Sequence, residues 1–353
     1  MKVALLGNAE SIHAVKWSAG LASRGHEVHL ITQDDPAEHP IDERVHVHRL
    51  RHSGSLGYFR NVLGLRRLIS RITPDVVNAH YATGYGTLMG LARLRVPTVL
   101  NVWGSDVSET PHRSPLHREW VRWSLRQPTR VASTSRSMAD GASWLLAGRI
   151  PDITPFGIDV ELFSPQETAP TPHGVIGTVK KLDPVYGIDI LLQSFAQLPP
   201  TLRLRVAGQG DQESDLRALA TKLGVADRVD FLGQLPNPEV PEVLRGLDVF
   251  VALSREESFG VAILEALACG TPAVTSDAPG PAEVMRDGVT GFVVPRNDPD
   301  AAARALQRLV DDPEMARRMG EAGRRHVMEN YSWQHCLEVM EGVYARAIAN
   351  ERN

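Results

Sequence analysis

Short apolar, β-branched runs alternate with longer stretches of helical spacing along almost the whole chain, and near the middle the alternation stops and starts again. In the first half, residues 3–6, 28–32, 45–50, 76–79, 98–102 and 131–134 read as strands. Between them, residues 12–23 have helical spacing and end at Gly25, where a helix C-cap favours glycine. Tyr58, Val62, Leu65, Ile69 and Ile72 recur in steps of four and three, one apolar stripe of a helix. In the second half the strand runs are 175–179, 204–207, 229–232, 249–253, 273–275 and 292–294, with helices at 188–197, 212–223, 240–246, 260–269 and 300–311. Strands separated by helices need crossover connections and a parallel sheet. The expected class is therefore α/β, with two Rossmann-like doubly wound domains.

A chain of 353 residues exceeds what one core usually organises, which agrees with two domains. Residues 164–174 read Ser-Pro-Gln-Glu-Thr-Ala-Pro-Thr-Pro-His-Gly, with three prolines and no apolar period, and mark a linker. The expected division is 1–163, the linker 164–174, a second domain 175–333, and a last helix 334–353 crossing back to the first domain. Doubly wound sheets hold ligands beyond the carboxyl ends of their strands. Two such domains facing across a cleft make that cleft the expected site.

Composition narrows the partners. Hydrophobic residues make up 42% and charged residues 23%, ordinary for a globular chain. The start, Met1 to Gly7, is too short an apolar run for a signal peptide, and no run approaches the roughly 20 residues that span a bilayer. Two cysteines, Cys269 and Cys336, lie in no Cys-x-x-Cys spacing, which argues against a disulfide framework or structural zinc and fits a reducing cytoplasm. Residues 1–166 carry 19 Lys and Arg against 15 Asp and Glu, while 167–353 carry 19 against 27. That is not basic enough for a nucleic-acid binder. It allows the first domain to face an anionic membrane or a phosphate-bearing acceptor. The stretch Arg118 to Arg126 interleaves Trp and Arg, and with Arg60, Arg66, Arg67 and Arg71 it forms a candidate basic face for peripheral contact with the inner membrane surface. Half-buried helices with snorkelling arginines are the plainer alternative.

The chemistry is concentrated in Leu253-Ser254-Arg255-Glu256-Glu257-Ser258-Phe259-Gly260-Val261-Ala262-Ile263-Leu264-Glu265-Ala266-Leu267-Ala268-Cys269-Gly270-Thr271-Pro272. A strand ends at Leu253 and a helix begins near Phe259. Gly260 lets a ligand approach the backbone, and the free amides of the first turn suit a diphosphate. Glu257 precedes the helix, where its carboxylate can accept from sugar hydroxyls; the competing role is a helix cap. Glu265 lies inside an apolar helix and needs donors there, which ribose hydroxyls would supply.

This segment, with Glu257 and Glu265 eight positions apart, resembles the signature of the retaining glycosyltransferases of family four, which have the GT-B fold. Val206-Ala207-Gly208-Gln209-Gly210, Phe231-Leu232-Gly233 and Asp287-Gly288-Val289-Thr290-Gly291 match as well. The resemblance implies that Glu257 contacts the donor sugar and Glu265 the ribose. It places the amides of Phe259, Gly260 and Val261, with Ser258 beside them, at sugar and phosphate. It puts the base near Gly208, Gly210, Gly233 and Gln234. It also implies no metal and no cofactor: the nucleoside-diphosphate sugar, of UDP or GDP type, is a substrate.

Two departures stand out. Family members carry an Arg and a Lys on the diphosphate where this chain has Thr178 and Tyr186. A diphosphate still needs cations, and Lys180 and Lys181 follow the strand directly, so they take that task here. The family's His after the strand 98–102 is replaced by Trp103, which can pack on a sugar face, with Asp106 as the nearby polar group. After the first strand, Gly7 permits close backbone approach for the donor, and Asn8, Ser11 and His13 face the acceptor, as does His80 after a later strand. Asp298-Pro299-Asp300 matches the Asp-x-Asp of metal-dependent transferases but suits a helix N-cap with proline in the first turn.

The expected activity is transfer of a hexosyl unit, with retention, to a glycan or lipid-linked glycan in surface-polysaccharide assembly. A small-molecule or natural-product acceptor is the alternative, and a nucleotide-sugar epimerase the rival within the fold. A nicotinamide dehydrogenase requires Gly-x-Gly-x-x-Gly after the first strand, where this chain has only Gly7. A non-catalytic sugar-binding module would have no need of both Glu257 and Glu265.

Overall fold

The computed structural model describes residues 1–35, 40–146, 148–165 and 174–350. The chain forms two compact units, Met1–Pro155 together with the segment from Cys336 onward, and Phe156–His335.

The first unit holds the strands β1 (Lys2–Leu6), β2 (Glu27–Thr32), β3 (Val45–Arg49), β4 (Val76–His80), β5 (Thr98–Val102), β6 (Arg130–Ser133) and β7 (Asp152–Ile153). All pair in parallel, in the order β3-β2-β1-β4-β5-β6-β7. Strands covered on both faces read as continuous apolar runs, which is why the sequence shows blocks rather than alternation. The missed strand, β7, has two residues and cannot carry a pattern. The stripe from Tyr58 to Ile72 forms two helices, Gly57–Arg60 and Val62–Ile72, parted at Asn61. Asn61 breaks the run by exchanging hydrogen bonds with the backbone of His52, at 3.1 and 2.7 Å.

The second unit holds β8 (Val175–Val179), β9 (Arg203–Ala207), β10 (Val229–Gly233), β11 (Val249–Ala252), β12 (Ala273–Ser276) and β13 (Gly291–Val294), parallel in the order β10-β9-β8-β11-β12-β13. Its two apolar layers flank the sheet, one around Leu191, Phe195 and Leu306, the other around Phe250, Leu264 and Leu267. In both sheets the order reverses once, between β1 and β4 and between β8 and β11.

The first unit ends at Pro155 rather than at 163. Residues 156–163 belong to the second unit because their side chains are buried there: Ile158 and Phe163 join its core, and Phe156 meets the Phe259 ring edge-on at 5.9 Å. Arg324 donates to the Phe163 carbonyl at 2.6 Å, and Arg245 to the carbonyls of Leu162 and Ser164. Of the expected linker, residues 166–173 lie outside the described residues. The last helix, Trp333–Asn350, joins the first unit from Cys336 on. Its buried Tyr344 donates to Asn78 Oδ1 at 3.1 Å, and Asn78 donates to Asn101 Oδ1 at 2.6 Å. Asn101 in turn donates to Thr154 Oγ1 at 3.2 Å, so a buried chain that starts at a hydroxyl of the last helix satisfies two asparagines in the middle of buried strands.

Candidate functional site

In the second unit, the loops leaving β8 and β11 diverge at the point where strand order reverses, the usual crevice of such sheets. Lys180 follows β8 and Glu257 lies in the loop after β11. Their side chains form an ion pair, Lys180 Nζ with Glu257 Oε1, only 8% and 9% exposed. Ser254 Oγ donates to Glu257 Oε2 at 2.7 Å. Ser276 Oγ, at the end of β12, donates to the Ser254 carbonyl at 2.5 Å and holds that hydroxyl in place. Glu257 therefore spends its carboxylate on Lys180 and Ser254 rather than on capping a helix. The helix Val261–Ala268 starts instead at Gly260, whose φ of 113° suits glycine alone. Its first-turn amides lack intrahelical acceptors and give that end partial positive charge.

Tyr186, standing where a lysine was expected, supports the cation: Lys180 Nζ lies 5.1 Å from its ring centroid. Burial and the nearby Glu257 and Asp183 carboxylates push the Tyr186 hydroxyl pKa up. Thr178, in the arginine's place, is buried within β8. Lys181 is mostly exposed and sits 3.5 Å from Asp183.

A cavity of about 790 Å³ opens beside the pair, lined by Lys180, Lys181, Gly208, Gly210, Asp211 and Gln234. Its glycines are required by backbone crowding. A Cβ on Gly208 would lie 1.8 Å from the Lys180 carbonyl oxygen, and one on Gly210 would lie 2.2 Å from that of Leu182. Gly233 ends β10 and its carbonyl accepts from Gly208 N at 2.7 Å. Of the remaining expected residues, Phe259 is buried between Phe156 and Tyr331, Ser258 is exposed, and Val261 and Glu265 are half-buried on the helix. Glu265 lies about 6 Å along the axis from the first helical residue.

The first unit has its own cavity, of about 550 Å³, at the carboxyl ends of β1, β4 and β5. Asn8, Ser11, His80 and Trp103 line it, as expected residues, with Tyr58, Tyr81, Arg113 and Trp120, which sequence reasoning missed. Trp103 is packed among rings: His80 at 4.1 Å, Tyr81 at 5.6 Å and His13 at 5.7 Å between centroids. His80 is 2% exposed, and neither ring nitrogen has a hydrogen-bond partner among the described residues. Burial, helped by His13, lowers its pKa to about 3, so it is neutral at physiological pH. Burial, with Lys16 nearby, lowers His13 to about 4; it occupies a helix turn rather than a solvated loop. Tyr81 adopts φ 68°, a strained value for a tyrosine, directly after His80. Its signal was present in the aromatic neighbour of a strand-ending histidine.

Two expectations change here. Asp106 does not face a ligand. It is 1% exposed, and its oxygens accept from the amides of Ala82 at 2.9 Å, Gly104 at 3.0 Å and Trp103 at 3.3 Å. It ties the loop after β5 to the turn after β4 and so holds Trp103 against His80. Burial raises its pKa to about 6 despite those bonds. Gly7 offers no open approach either. A Cβ there would meet Ala14 at 3.1 Å and His80 Nδ1 at 3.3 Å, so the missing side chain makes room for the histidine. Asp298 caps the helix Pro299–Asp311, accepting from Ala301 N at 2.8 Å.

Two doubly wound units, one with a glycine-walled cavity beside a buried Lys–Glu pair and the other with an aromatic cavity, are those of the GT-B fold. Residues 159–326 match the family model for glycosyl transferases group 1, and residues 2–135 that for glycosyl transferase 4-like domains. The chain is similar to N-acetyl-alpha-D-glucosaminyl L-malate synthase of Bacillus anthracis, with 25% identity over 94% of this chain and 92% of that protein. It is similar to D-inositol 3-phosphate glycosyltransferase of Acidothermus cellulolyticus, with 32% identity over 79% of this chain and 68% of the other. Among solved structures it resembles HepE of Anabaena in complex with UDP, with a TM-score of 0.81 and 19% identity over 98% of this chain and 100% of that one. The chain belongs to glycosyltransferase family four.

Proposed function

We propose that this glycosyltransferase moves a sugar from a nucleoside-diphosphate sugar bound by the second unit to a hydroxyl acceptor bound in the aromatic cavity of the first. The carrying observation is the Lys180–Glu257–Ser254 cluster beside the glycine-walled cavity at the strand-order reversal. A cavity of about 790 Å³ is within the size range of small-ligand sites. The UDP bound by HepE is consistent with a uridine donor. The diphosphate lies against Lys180, with Lys181 at the rim and the Gly260–Val261 amides at the helix terminus. Charge developing on the leaving diphosphate is met by fixed donors, without a metal ion. Glu257 orients the sugar hydroxyls and Glu265 the ribose. Transfer proceeds with retention, the leaving phosphate helping to deprotonate the acceptor hydroxyl on the same face.

The rings of Trp103, Tyr81 and Tyr58 give the acceptor C–H faces to pack on, and Arg113 supplies a cation at the rim. A glycan or lipid-linked glycan in surface-polysaccharide assembly on the cytoplasmic side is our first reading. The second is a small hydroxylated anion, favoured by relatives named for malate and inositol phosphate.

The test is a thermal-shift screen against UDP, GDP and ADP, followed by transfer assays with the stabilising donor class. Proton NMR of the product reports the anomeric configuration, and excess chelator tests the metal. An inverted product would overturn retention. Loss of activity in chelator, restored by magnesium or manganese, would overturn the metal-free mechanism. Stabilisation by no diphosphate would overturn the donor site.

A further inference from the structure

One face of the first unit is apolar and basic at once. Leu56, Phe59, Leu63 and Leu116 are 61%, 51%, 60% and 83% exposed. Single exposed apolar residues are ordinary, but a contiguous group marks a contact surface. Phe59 joins the group: it lines a shallow hollow of about 280 Å³ with Leu91, Trp120 and Trp123. Leu116 lies one helical turn before Trp120 on the same side of the helix Pro115–Arg126.

Along the segment that carries Leu56, Phe59 and Leu63 the charge has one sign, while Glu119 on the neighbouring helix is paired with Arg122. Residues 51–72 contain five arginines and no Asp or Glu. Arg51, Arg60, Arg67 and Arg71 are exposed and form no ion pair among the described residues. The basic face expected from the sequence is thereby redrawn. Arg66 is engaged with the carbonyls of Ala92 and Leu91, at 2.6 and 3.3 Å. Arg118 and Arg122 cover the Trp144 ring at 5.4 and 5.5 Å, and Arg122 also pairs with Glu119.

We propose that this face docks on a bilayer containing anionic lipid, with Leu56, Phe59, Leu63 and Leu116 in the interfacial layer and Arg51, Arg60, Arg67 and Arg71 on lipid phosphates. The charge selects the occupant: guanidinium groups match phosphate geometry, and an apolar patch joined to a basic cluster is the two-part anchor that reversible membrane binding needs. Phe59 and Trp120 also line the larger aromatic cavity, so the docked face borders it. Where that cavity is the acceptor site, as proposed above, the acceptor is carried by a lipid whose chain stays in the bilayer.

The experiment is co-sedimentation of the intact protein with vesicles of phosphatidylcholine alone and of phosphatidylcholine with one third phosphatidylglycerol. It uses neither donor nor acceptor, so its failure is separate from failure of the transferase reading. Binding is expected only to the anionic vesicles and should fall steeply with salt. Arg60→Gln with Arg67→Gln, and separately Leu56→Ser with Leu63→Ser, should each lower the partition by on the order of tenfold or more. Unchanged circular dichroism and melting temperature without any ligand show that these variants remain folded. Equal binding to both vesicles, or undiminished binding by the variants, overturns the proposal. So does a concentration-dependent dimer that the leucine variant dissolves, which would make a second copy the occupant.

Discussion

Lys180→Met removes the cation from a pair whose two side chains are more than nine-tenths buried. An exposed ion pair contributes about 0–1 kcal/mol, so its loss is nearly silent. Removing one partner of a buried pair instead leaves an uncompensated charge and costs about 3–5 kcal/mol. Ser254 still donates to Glu257, which places the expected cost near the low end, at about 3 kcal/mol. Glu257→Gln strands Lys180 against the Tyr186 ring and should cost a similar amount. The double variant removes both charges and should cost far less than the sum, because a neutral, well-packed replacement of a buried pair is often close to neutral. A chain of two units has no single unfolding free energy, so the measurement is hydrogen exchange of peptides spanning β8 to β13. At about 1.4 kcal/mol per tenfold, each single variant should accelerate their slowest amides by roughly 150-fold, with most of that recovered in the double variant. Acceleration under about fivefold, or additive effects, would refute the buried-pair argument. The result bears on function too, since lost activity in a Glu257 variant must be separated from lost stability.

Because Glu257 holds Lys180 in the absence of a diphosphate, Glu257→Gln should bind UDP more tightly than the parent in calorimetry while failing to transfer sugar; weaker or equal binding would remove Lys180 from the phosphate site. Tyr344→Phe deletes the donor to Asn78 inside a buried chain of amides and should cost the first unit about 1–2 kcal/mol, read as faster exchange in β4 and β5. Asp106 is protonated more readily in the folded state than in the unfolded one, from 3.8 up to about 6. The folded state therefore binds the extra proton, and this contribution is full below about pH 3.8 and lost as pH rises through about 6, a span of roughly 3 kcal/mol. Asp106→Asn should abolish that segment of the pH dependence of first-unit exchange; an unchanged profile would refute the burial assignment. Gly208→Ala forces a Cβ onto the Lys180 carbonyl and should abolish UDP binding in calorimetry with the first unit's exchange unaffected.

Apart from the two-residue β7, the strands were legible because each central strand is an apolar, β-branched block bounded by turn residues, and parallel pairing follows from the helices between them. The segment around Glu257 was legible for a related reason: a strand end, a glycine and a helix start within a few residues form a local unit. Segment 156–163 was misassigned because no local signal says which core Ile158 and Phe163 enter. Asp106 was misread because a carboxylate two positions after a glycine looks the same whether it faces a ligand or collects three backbone amides. Arg113 and Trp120 were missed because they come from separate helices that meet the strand ends only in the folded sheet, whereas Tyr81 was within reach as the neighbour of His80.

Residue order determined a parallel α/β chain in two doubly wound units and a Glu–glycine–helix segment suited to a diphosphate, since periodicity, turn chemistry and helix starts act over a few neighbouring residues. Tertiary structure alone decided that Lys180 meets Glu257, 77 positions away, and that a neutral His80 packs at a tilt against Trp103. It also decided which arginines are spent on carbonyls and rings and which remain exposed. Burial, charge pairing and proton affinity depend on neighbours that only the folded chain brings within a few ångströms.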